Sequence, residues 1–261
     1  MERFLLVHVP GILLGFLIVG VVVAASLAGL FLVRRRVALA TLEQHNDVAG
    51  FIIAVIGGLY AVLLAFVVIS VWDQFEAARA DASREADLVG LLYADAIFFP
   101  GHAVSIRTDL RAYAQSVIDD DWKEMSSHQS DSSRTDRQLR VLLEDFRAIP
   151  VETTEEGAFY TESVKQLYGL ADSRRLRVDA SGNELPIILW TVLAVGGVIT
   201  VGFSCFFGIS HFGAHVLMVA ALATMIALTL FVILSLDLPF TGDLQVTSDA
   251  MQQAIREFSH P

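Results

Sequence analysis

Apolar residues dominate three long stretches of the chain, and charged residues are confined to the segments between them. No Asp, Glu, Lys or Arg occurs from Phe4 to Val33, from Val48 to Trp72, or from Leu185 to Leu236. A helix needs ~20 apolar residues to cross a bilayer, so the first two stretches each predict one span and the third predicts two. The first run is too long for a signal peptide and ends in three arginines, so we expect a retained anchor. We place the spans at about 10–33, 48–71, 186–208 and 213–236.

The helical pattern of the second span continues past the membrane edge. Beyond Trp72, apolar residues recur every three or four positions, and Asp and Arg fill the gaps between them. This is the period of an amphipathic helix, and Pro100 with Gly101 ends it. The pattern predicts one helix from Val48 to about Phe98, ~75 Å long at 1.5 Å per residue. Its apolar positions beyond the span are Phe75, Ala78, Ala82, Ala86, Val89, Leu92 and Ala96.

The segment between the second and third spans is predicted to be helical throughout. Amphipathic patterns cover about 103–125 and 134–148, and Thr153 with Glu156 forms a capping box for a helix that runs to about Ala180. No strand-like alternation occurs, so we predict an all-α integral membrane protein. The predicted parts are a transmembrane hairpin (1–72), a helical extramembrane insert (73–184), a second transmembrane hairpin (185–236) and an extramembrane C-terminal tail (237–261).

Composition and charge narrow the classes of partner. The 261 residues are 54% hydrophobic and carry a formal net charge of −11, and the insert holds 22 acidic against 13 basic residues. An acidic surface without a basic stripe argues against nucleic acid as a partner. Cys205 is the single cysteine, so neither an intrachain disulfide nor a cysteine-based metal site is expected.

The sequence contains no motif for catalysis or for a cofactor. It has no Gly-rich phosphate loop, no nucleophile elbow and no paired His/Glu zinc motif. His45, Asp47, His211 and His215 are of types that bind metals, but their spacing matches no ligand motif. We therefore expect no enzyme, no metal site and no cofactor.

Small residues form a stripe along the second span. On a helical wheel they lie within about 100° of one another, and bulky residues occupy the opposite face. In lipid, small residues let helices approach closely. The stripe therefore predicts either a helix that surrounds a pore with its symmetry mates or ordinary packing between helices of one subunit. Its members are Gly50, Ala54, Gly57, Gly58, Ala61 and Ala65.

Acidic residues follow the stripe where the helix leaves the membrane. Trp72 and Glu76 continue its face, and Asp73 lies about a quarter turn or more away. In a ring of identical subunits, Glu76 and Asp73 would form acidic rings at a pore mouth, which attract cations. The alternative is the solvated face of a charged helix, with pairs such as Glu76 and Arg79. Asp237 directly follows the fourth span. It either binds an ion there, pairs with Arg174 or Arg175 if they lie on the same side, or marks the end of that span.

Five segments of the chain resemble the bacterial bestrophin-like proteins, a family of four-span membrane proteins described as a domain of unknown function. The resemblance covers nearly the whole length and is most specific in the second span. The segments are "HNDVAGFIIAVIGGLYAVLLAFVVISVWDQF", "READLVGLLYADA", "RRLR", "LPIILWTVLAVGGVITVGFSCFFG" and "LSLDLPFTG".

The resemblance implies a function and an assembly. Bestrophins are pentameric anion channels whose second span lines a hydrophobic neck and whose large helical part lies in the cytoplasm. Carried onto this chain, these properties imply a homopentamer with a cytoplasmic insert. The neck candidates are then Ile52, Ile56, Tyr60, Leu63 and Phe66.

The charges beside the spans predict the opposite orientation. Arg34 to Arg36 directly follow the first span, and the positive-inside rule places them in the cytoplasm. Four spans would then put the insert and both termini on the outer side of a bacterial inner membrane. A second basic run, Arg174 to Arg177, precedes the third span by about ten residues and argues against this. We give more weight to the short linker, because long inserts follow the rule poorly.

Together these features predict a homo-oligomeric ion channel whose second spans surround a central axis. Its predicted partners are the lipid bilayer, copies of the same chain and small ions. The competing hypothesis is a non-conducting membrane-anchored sensor or scaffold whose acidic helical insert binds a partner. A transporter is less favoured, because no span has a proline or a charge at mid-membrane.

Overall fold

The computed structural model describes residues 10–127, 133–151 and 153–258, and these residues form helices and no strand. The all-α prediction is therefore confirmed. In chain order the helices are α1 (Gly11–Arg36), α2 (Leu39–Glu43), α3 (Asn46–Asp95), α4 (Ala103–Ser116), α5 (Trp122–Ser127), α6 (Ser133–Arg147), α7 (Thr154–Gly182), α8 (Ile187–Ser204), α9 (Phe212–Leu236) and α10 (Asp249–Glu257). A 3-10 turn (Ala96–Phe98) extends α3, and a π-helical turn (Val117–Asp121) joins α4 to α5.

Four helices of the described chain, α1, α3, α8 and α9, are long and apolar enough to cross a membrane. Each starts or ends within a few residues of a span expected from the charge pattern. In hydrocarbon a helix satisfies its backbone N–H and C=O groups internally, which explains why uncharged stretches of this length fold this way. Three arginines occupy the last turn of α1, where cations offset the negative end of the helix dipole.

α3 passes the membrane edge without a break. It runs for 50 residues, and its 3-10 extension ends at Phe98, just before Pro100. No Gly or Pro occurs from Leu59 to Val89, so nothing in the sequence interrupts the helix around Trp72. The prediction of one helix from Val48 to about Phe98 is confirmed.

The chain divides into two compact units. Unit 1 holds the residues up to Asp73 and Glu184–Asp237, and it contains α1, α2, the first part of α3, α8 and α9. Unit 2 holds Gln74–Asn183 and the residues from Leu238 onward, so it contains the rest of α3, α4 to α7, and α10. The segment from Leu238 onward, predicted as an extramembrane C-terminal tail, and most of the insert belong to the same unit.

Unit 2 encloses an apolar core built from α3, α4, α6, α7 and α10. Trp122 Nε1 donates a hydrogen bond to the carbonyl oxygen of Val246 (3.1 Å), and the ring of Tyr93 stacks on that of Phe258 with centroids 3.9 Å apart. The predicted capping box starts α7, where the Thr153 hydroxyl accepts from the Glu156 N–H and the Glu156 carboxylate accepts from the Thr153 N–H, both at 3.1 Å. The buried core residues include Leu92, Ile106, Leu110, Leu142, Leu167 and Leu170.

The turn between α8 and α9 packs tightly against the start of α3. Asn46 donates to the carbonyl oxygen of Gly208 (2.8 Å) and accepts from the Gly208 N–H (2.9 Å). A Cβ on Gly208 would lie 2.4 Å from the backbone nitrogen of Glu43, closer than atoms approach without a shift of the backbone. The turn therefore requires glycine at this position.

We expect Gly208→Ala to destabilise unit 1. Overpacking against a backbone costs ~1–3 kcal/mol, which should lower the apparent melting temperature in detergent by roughly 3–10 °C. The matched control is Gly213→Ala, because a Cβ at Gly213 meets nothing within 4 Å. Equal melting temperatures for the two variants, measured by circular dichroism, would contradict the tight turn.

Candidate functional site

One face of α3 packs inside unit 1. Tyr60, Leu64, Val67 and Val71 are buried, and they recur every three or four residues. The Tyr60 hydroxyl donates to the carbonyl oxygen of Leu193 on α8 (2.9 Å). Tyr60, one of the neck candidates, is therefore engaged within its own subunit.

The small-residue stripe lies on an open face of α3. Ala54, Gly58, Ala61 and Ala65 are exposed in the single chain. A Cβ placed on any of the three glycines of the stripe would meet nothing within 4 Å, so no other part of the described chain packs there. The surface is free to contact lipid, water or another copy of the chain.

The bulky neck candidates border the packed face of the same helix. Phe66 is 69% exposed and Ile52 is 38% exposed, whereas Ile56 and Leu63 are partly buried. At about 100° per residue, these four side chains point away from the stripe, roughly to the opposite side. The small-residue stripe and the bulky neck candidates therefore cannot both face a central pore, whichever way α3 is turned about its own axis.

The acidic candidates differ in their surroundings. Asp73 is exposed on α3, and Glu76 lies 3.8 Å from the guanidinium of Arg79 one turn further on. Such an exposed pair contributes little to stability. Asp237 is instead 3% exposed, and its Oδ1 accepts from the N–H of Leu185 at 2.9 Å, just before α8 begins. Its observed contact is structural, and ion binding by Asp237 stays a prediction.

The histidines expected near the membrane edge do not converge. His215 is buried, with Nε2 3.0 Å from the carbonyl oxygen of Ser204 and Nδ1 3.3 Å from the guanidinium of Arg34. His45 and His211 are exposed. Within the described ranges, no three His, Cys, Asp or Glu side chains lie close enough to hold a metal ion.

A cluster of charged side chains lies in the interior of unit 2. Arg177 on α7 is fully buried, and its Nε and Nη2 donate to the two carboxylate oxygens of Glu85 on α3 at 2.5 and 3.1 Å. Nη2 also donates to Asp121 at 2.7 Å. The hydroxyl of Tyr113 on α4 donates to Glu85 at 2.6 Å. The cluster thus joins three helices and the π-helical turn.

A second arginine extends this cluster. Arg174, one turn before Arg177, donates to Asp121 at 3.1 Å and to Asp136 on α6 at 2.5 Å. Asp121 is the last residue of the π-helical turn, whose wider backbone carries an extra residue. The π-helical turn places the Asp121 carboxylate between Arg174 and Arg177.

The two arginines control the ionisation of this cluster. Burial would raise the pKa of Asp121, but Arg177 and Arg174 outweigh burial and hold it below its usual value. The pKa of Tyr113 is well above its usual value, because the ring is buried and Glu85 lies beside its hydroxyl. Asp121 is therefore charged, and Tyr113 is a neutral hydrogen-bond donor.

This cluster is not among the residues predicted from the sequence, although the pattern of α3 contains a signal for it. Glu85 follows Ala78 and Ala82 and precedes Val89 and Leu92 in the apolar register of α3, so a carboxylate occupies a core position. A charge at such a position requires a buried partner. The partner, on α7, is 92 residues away in sequence.

Comparison with known proteins agrees with the four spans and the long α3. The sequence profile of the Bestrophin-like domain matches residues 20–251. The chain belongs to the bestrophin-like family. Among solved structures, it is similar to a mutant of a bacterial bestrophin homologue from Klebsiella pneumoniae, with a TM-score of 0.70 and 14% identity over 95% of this chain and 99% of the other. A search of curated protein sequences gave no significant match.

A second structural relative of this bestrophin-like protein is a crystal structure described as a membrane protein with one Pro-to-Ala substitution. Its TM-score is 0.65 at 15% identity, and the alignment covers 95% of this chain and 99% of that one. At this level of identity the likeness concerns the fold. The fold is therefore shared over nearly the whole length of these chains.

We expect Arg177→Leu to destabilise unit 2 strongly. It leaves Glu85 and Asp121 buried without their shared cation, which costs ~3–5 kcal/mol. The matched control is Arg175→Leu, two residues away, because Arg175 is exposed and pairs with Asp172 on the surface (2.7 Å), an arrangement worth ~0–1 kcal/mol.

The readout is thermal unfolding of the full chain in detergent. Arg177→Lys keeps the charge and loses the two-pronged contact with Glu85, so its stability should fall between those of the wild type and Arg177→Leu. If Arg177→Leu unfolds at the same temperature as Arg175→Leu, the cluster does not hold unit 2 together.

Proposed function

We propose that this protein is a homo-oligomeric ion channel in which α3 of each subunit lines a central pore. The observation that carries the proposal is the open face of α3: among the described residues nothing packs on it along the membrane span, and it continues into an acidic segment. Membership of the bestrophin-like family supports the proposal, because bestrophins are ion channels. A helix that only anchored an extramembrane domain would need neither a small-residue face nor an acid, Glu76, in register with it.

The small-residue face of α3 is the one assigned to the pore axis. Ala54 and Gly58 are exposed, and Trp72 and Glu76 extend their face beyond the membrane edge. The opposite face is less suitable, because Tyr60 beside it is committed to α8. Ile52, Ile56, Leu63 and Phe66 form the alternative pore lining, which requires α3 to be turned about half a revolution.

The remaining features of the proposal concern assembly and location. Because nothing in the described part of the chain packs on the stripe, a second copy is the proposed contact, and the subunit number of five is taken from the family resemblance. The proposed location is a bacterial inner membrane, with Arg34 to Arg36 at the cytoplasmic side and unit 2 on the outer side. No catalytic role and no cofactor form part of the proposal.

Cysteine accessibility distinguishes the two faces of α3. In a Cys205→Ser background, single cysteines replace Gly58 on the small-residue face or Phe66 on the bulky face, and Phe16→Cys on α1 provides an exposed control outside α3. A charged, membrane-impermeant thiol reagent should block ion flux into liposomes for Gly58→Cys and leave the other two unchanged.

The alternative results are equally informative. Block at Phe66→Cys without block at Gly58→Cys would assign the bulky face to the pore. Absence of flux through the wild-type protein under every ion gradient would reject the channel and favour the sensor or scaffold.

We expect Glu76→Gln to change ion selectivity. Removing a ring of carboxylates at the mouth should lower the cation-to-anion permeability ratio by about fivefold, the factor that ~1 kcal/mol represents. The measurement is the reversal potential across a bilayer with unequal salt. Glu162→Gln is the control, because Glu162 is an exposed residue of α7 that also faces a cation one turn away (Lys165, 3.5 Å). Equal reversal potentials for both variants would reject the acidic mouth.

A further inference from the structure

A groove opens between α1, α8 and α9 in unit 1. Its volume is about 410 Å³, and residues of all three helices line it, among them Val22, Gly29, Gly197, Val201 and Ile226. Val21 and Val198 at its margin are 61% and 73% exposed, so the groove opens outward from the unit. The groove is therefore reachable from the lipid phase.

Small residues leave this space unfilled. A Cβ on Gly29 of α1 or on Gly202 of α8 would meet no atom within 4 Å, although both residues line the groove. The polar side chains there already have hydrogen-bond partners. The Ser26 hydroxyl donates to the carbonyl oxygen of Val22 (2.6 Å), and the Cys205 thiol donates to the carbonyl oxygen of Val201 (3.5 Å). Water needs several polar partners to occupy a cavity, so this one is suited to hydrocarbon.

A cation lies beyond one end of the groove. Arg36 follows Gly29 by seven residues, which places it on the same face of α1 and ~10 Å further along the helix. Arg36 is exposed, and in the described part of the chain it takes part in no hydrogen bond or ion pair.

The neighbouring arginines are engaged in contacts of their own. Arg34 donates to the carbonyl oxygen of Ile209, and the guanidinium of Arg35 lies 4.2 Å from the ring centroid of Phe31. Among the described residues, Arg36 is thus the arginine of this run that makes no hydrogen bond, ion pair or ring contact of its own.

We propose that the groove holds an acyl chain of an anionic phospholipid and that Arg36 binds its phosphate. A phospholipid places hydrocarbon and phosphate at the two depths at which the groove and Arg36 lie. A guanidinium donates two parallel hydrogen bonds to a phosphate, and a cation at the membrane surface favours anionic over zwitterionic lipid. An apolar helix of a second copy would fill the groove but would give Arg36 no anion.

The test measures lipid retention by the full-length protein in detergent with native mass spectrometry. Dioleoyl phosphatidylglycerol and dioleoyl phosphatidylcholine are added separately, and the wild type should retain the anionic lipid about fivefold better. Gly29→Leu and Gly202→Leu, which fill the groove from different helices, should abolish retention of both lipids. Arg36→Gln should keep lipid binding and lose the preference for phosphatidylglycerol.

The control is Gly20→Leu on the opposite face of α1, where a Cβ also meets nothing within 4 Å. Its lipid retention should equal that of the wild type. Unchanged retention in both groove-filling variants, or equal retention of the two lipids by the wild type, would overturn the proposal. It would also fail if inorganic phosphate displaced the lipid, or if filling the groove changed the subunit number.

Discussion

Hydrocarbon offers no hydrogen-bond partner to a polypeptide backbone, and this constraint determines the conformation of α3. Through the membrane span, every peptide group of the helix must be satisfied by another one in the same helix. Beyond Trp72 water could replace those bonds, yet the helix continues to Asp95, because its apolar positions pack into the core of unit 2. One uninterrupted element therefore contributes a membrane span to unit 1 and a core helix to unit 2, and it carries the residues assigned here to the ion pathway.

Unit 2 depends on ionic contacts that an apolar core would not need. Arg177 and Glu85 are both fully buried, and desolvation of such ions costs several kcal/mol before their attraction is counted. The cluster repays this cost through its geometry, because both oxygens of Glu85 accept from Arg177 and Tyr113 adds a third hydrogen bond. Salt bridges of this kind restrict which arrangements of the surrounding helices are stable, since any shift leaves a charge unpaired. The cluster therefore favours a single arrangement of α3, α4 and α7.

Surface exposure has a different meaning in the two units. In water, an exposed Phe66 would mark an interface, whereas in lipid an exposed apolar side chain costs nothing. The informative features in unit 1 are accordingly those that hydrocarbon alone does not explain. The stripe, with Glu76 in register further along α3 in unit 2, suggests contact with other copies or with ions. The groove with Arg36 at its end suggests a lipid that is both apolar and anionic. The first interpretation combines the small-residue face with the charge of Glu76, and the second combines the groove with the charge of Arg36. Neither depends on the exposure of apolar side chains alone.

The four spans, the length of α3, the capping box of α7 and the all-α class can all be predicted from the amino-acid sequence. They follow from local periods of apolar residues and from helix-breaking residues such as Pro100. The faces of α3 can be predicted as well, since 100° per residue fixes which side chains point together. Only the tertiary structure showed that Tyr60 belongs to the packed face, that the C-terminal segment joins unit 2, and that Glu85 meets Arg177. These contacts connect residues more than 90 positions apart in the chain, and local periodicity carries no information about which distant segments meet.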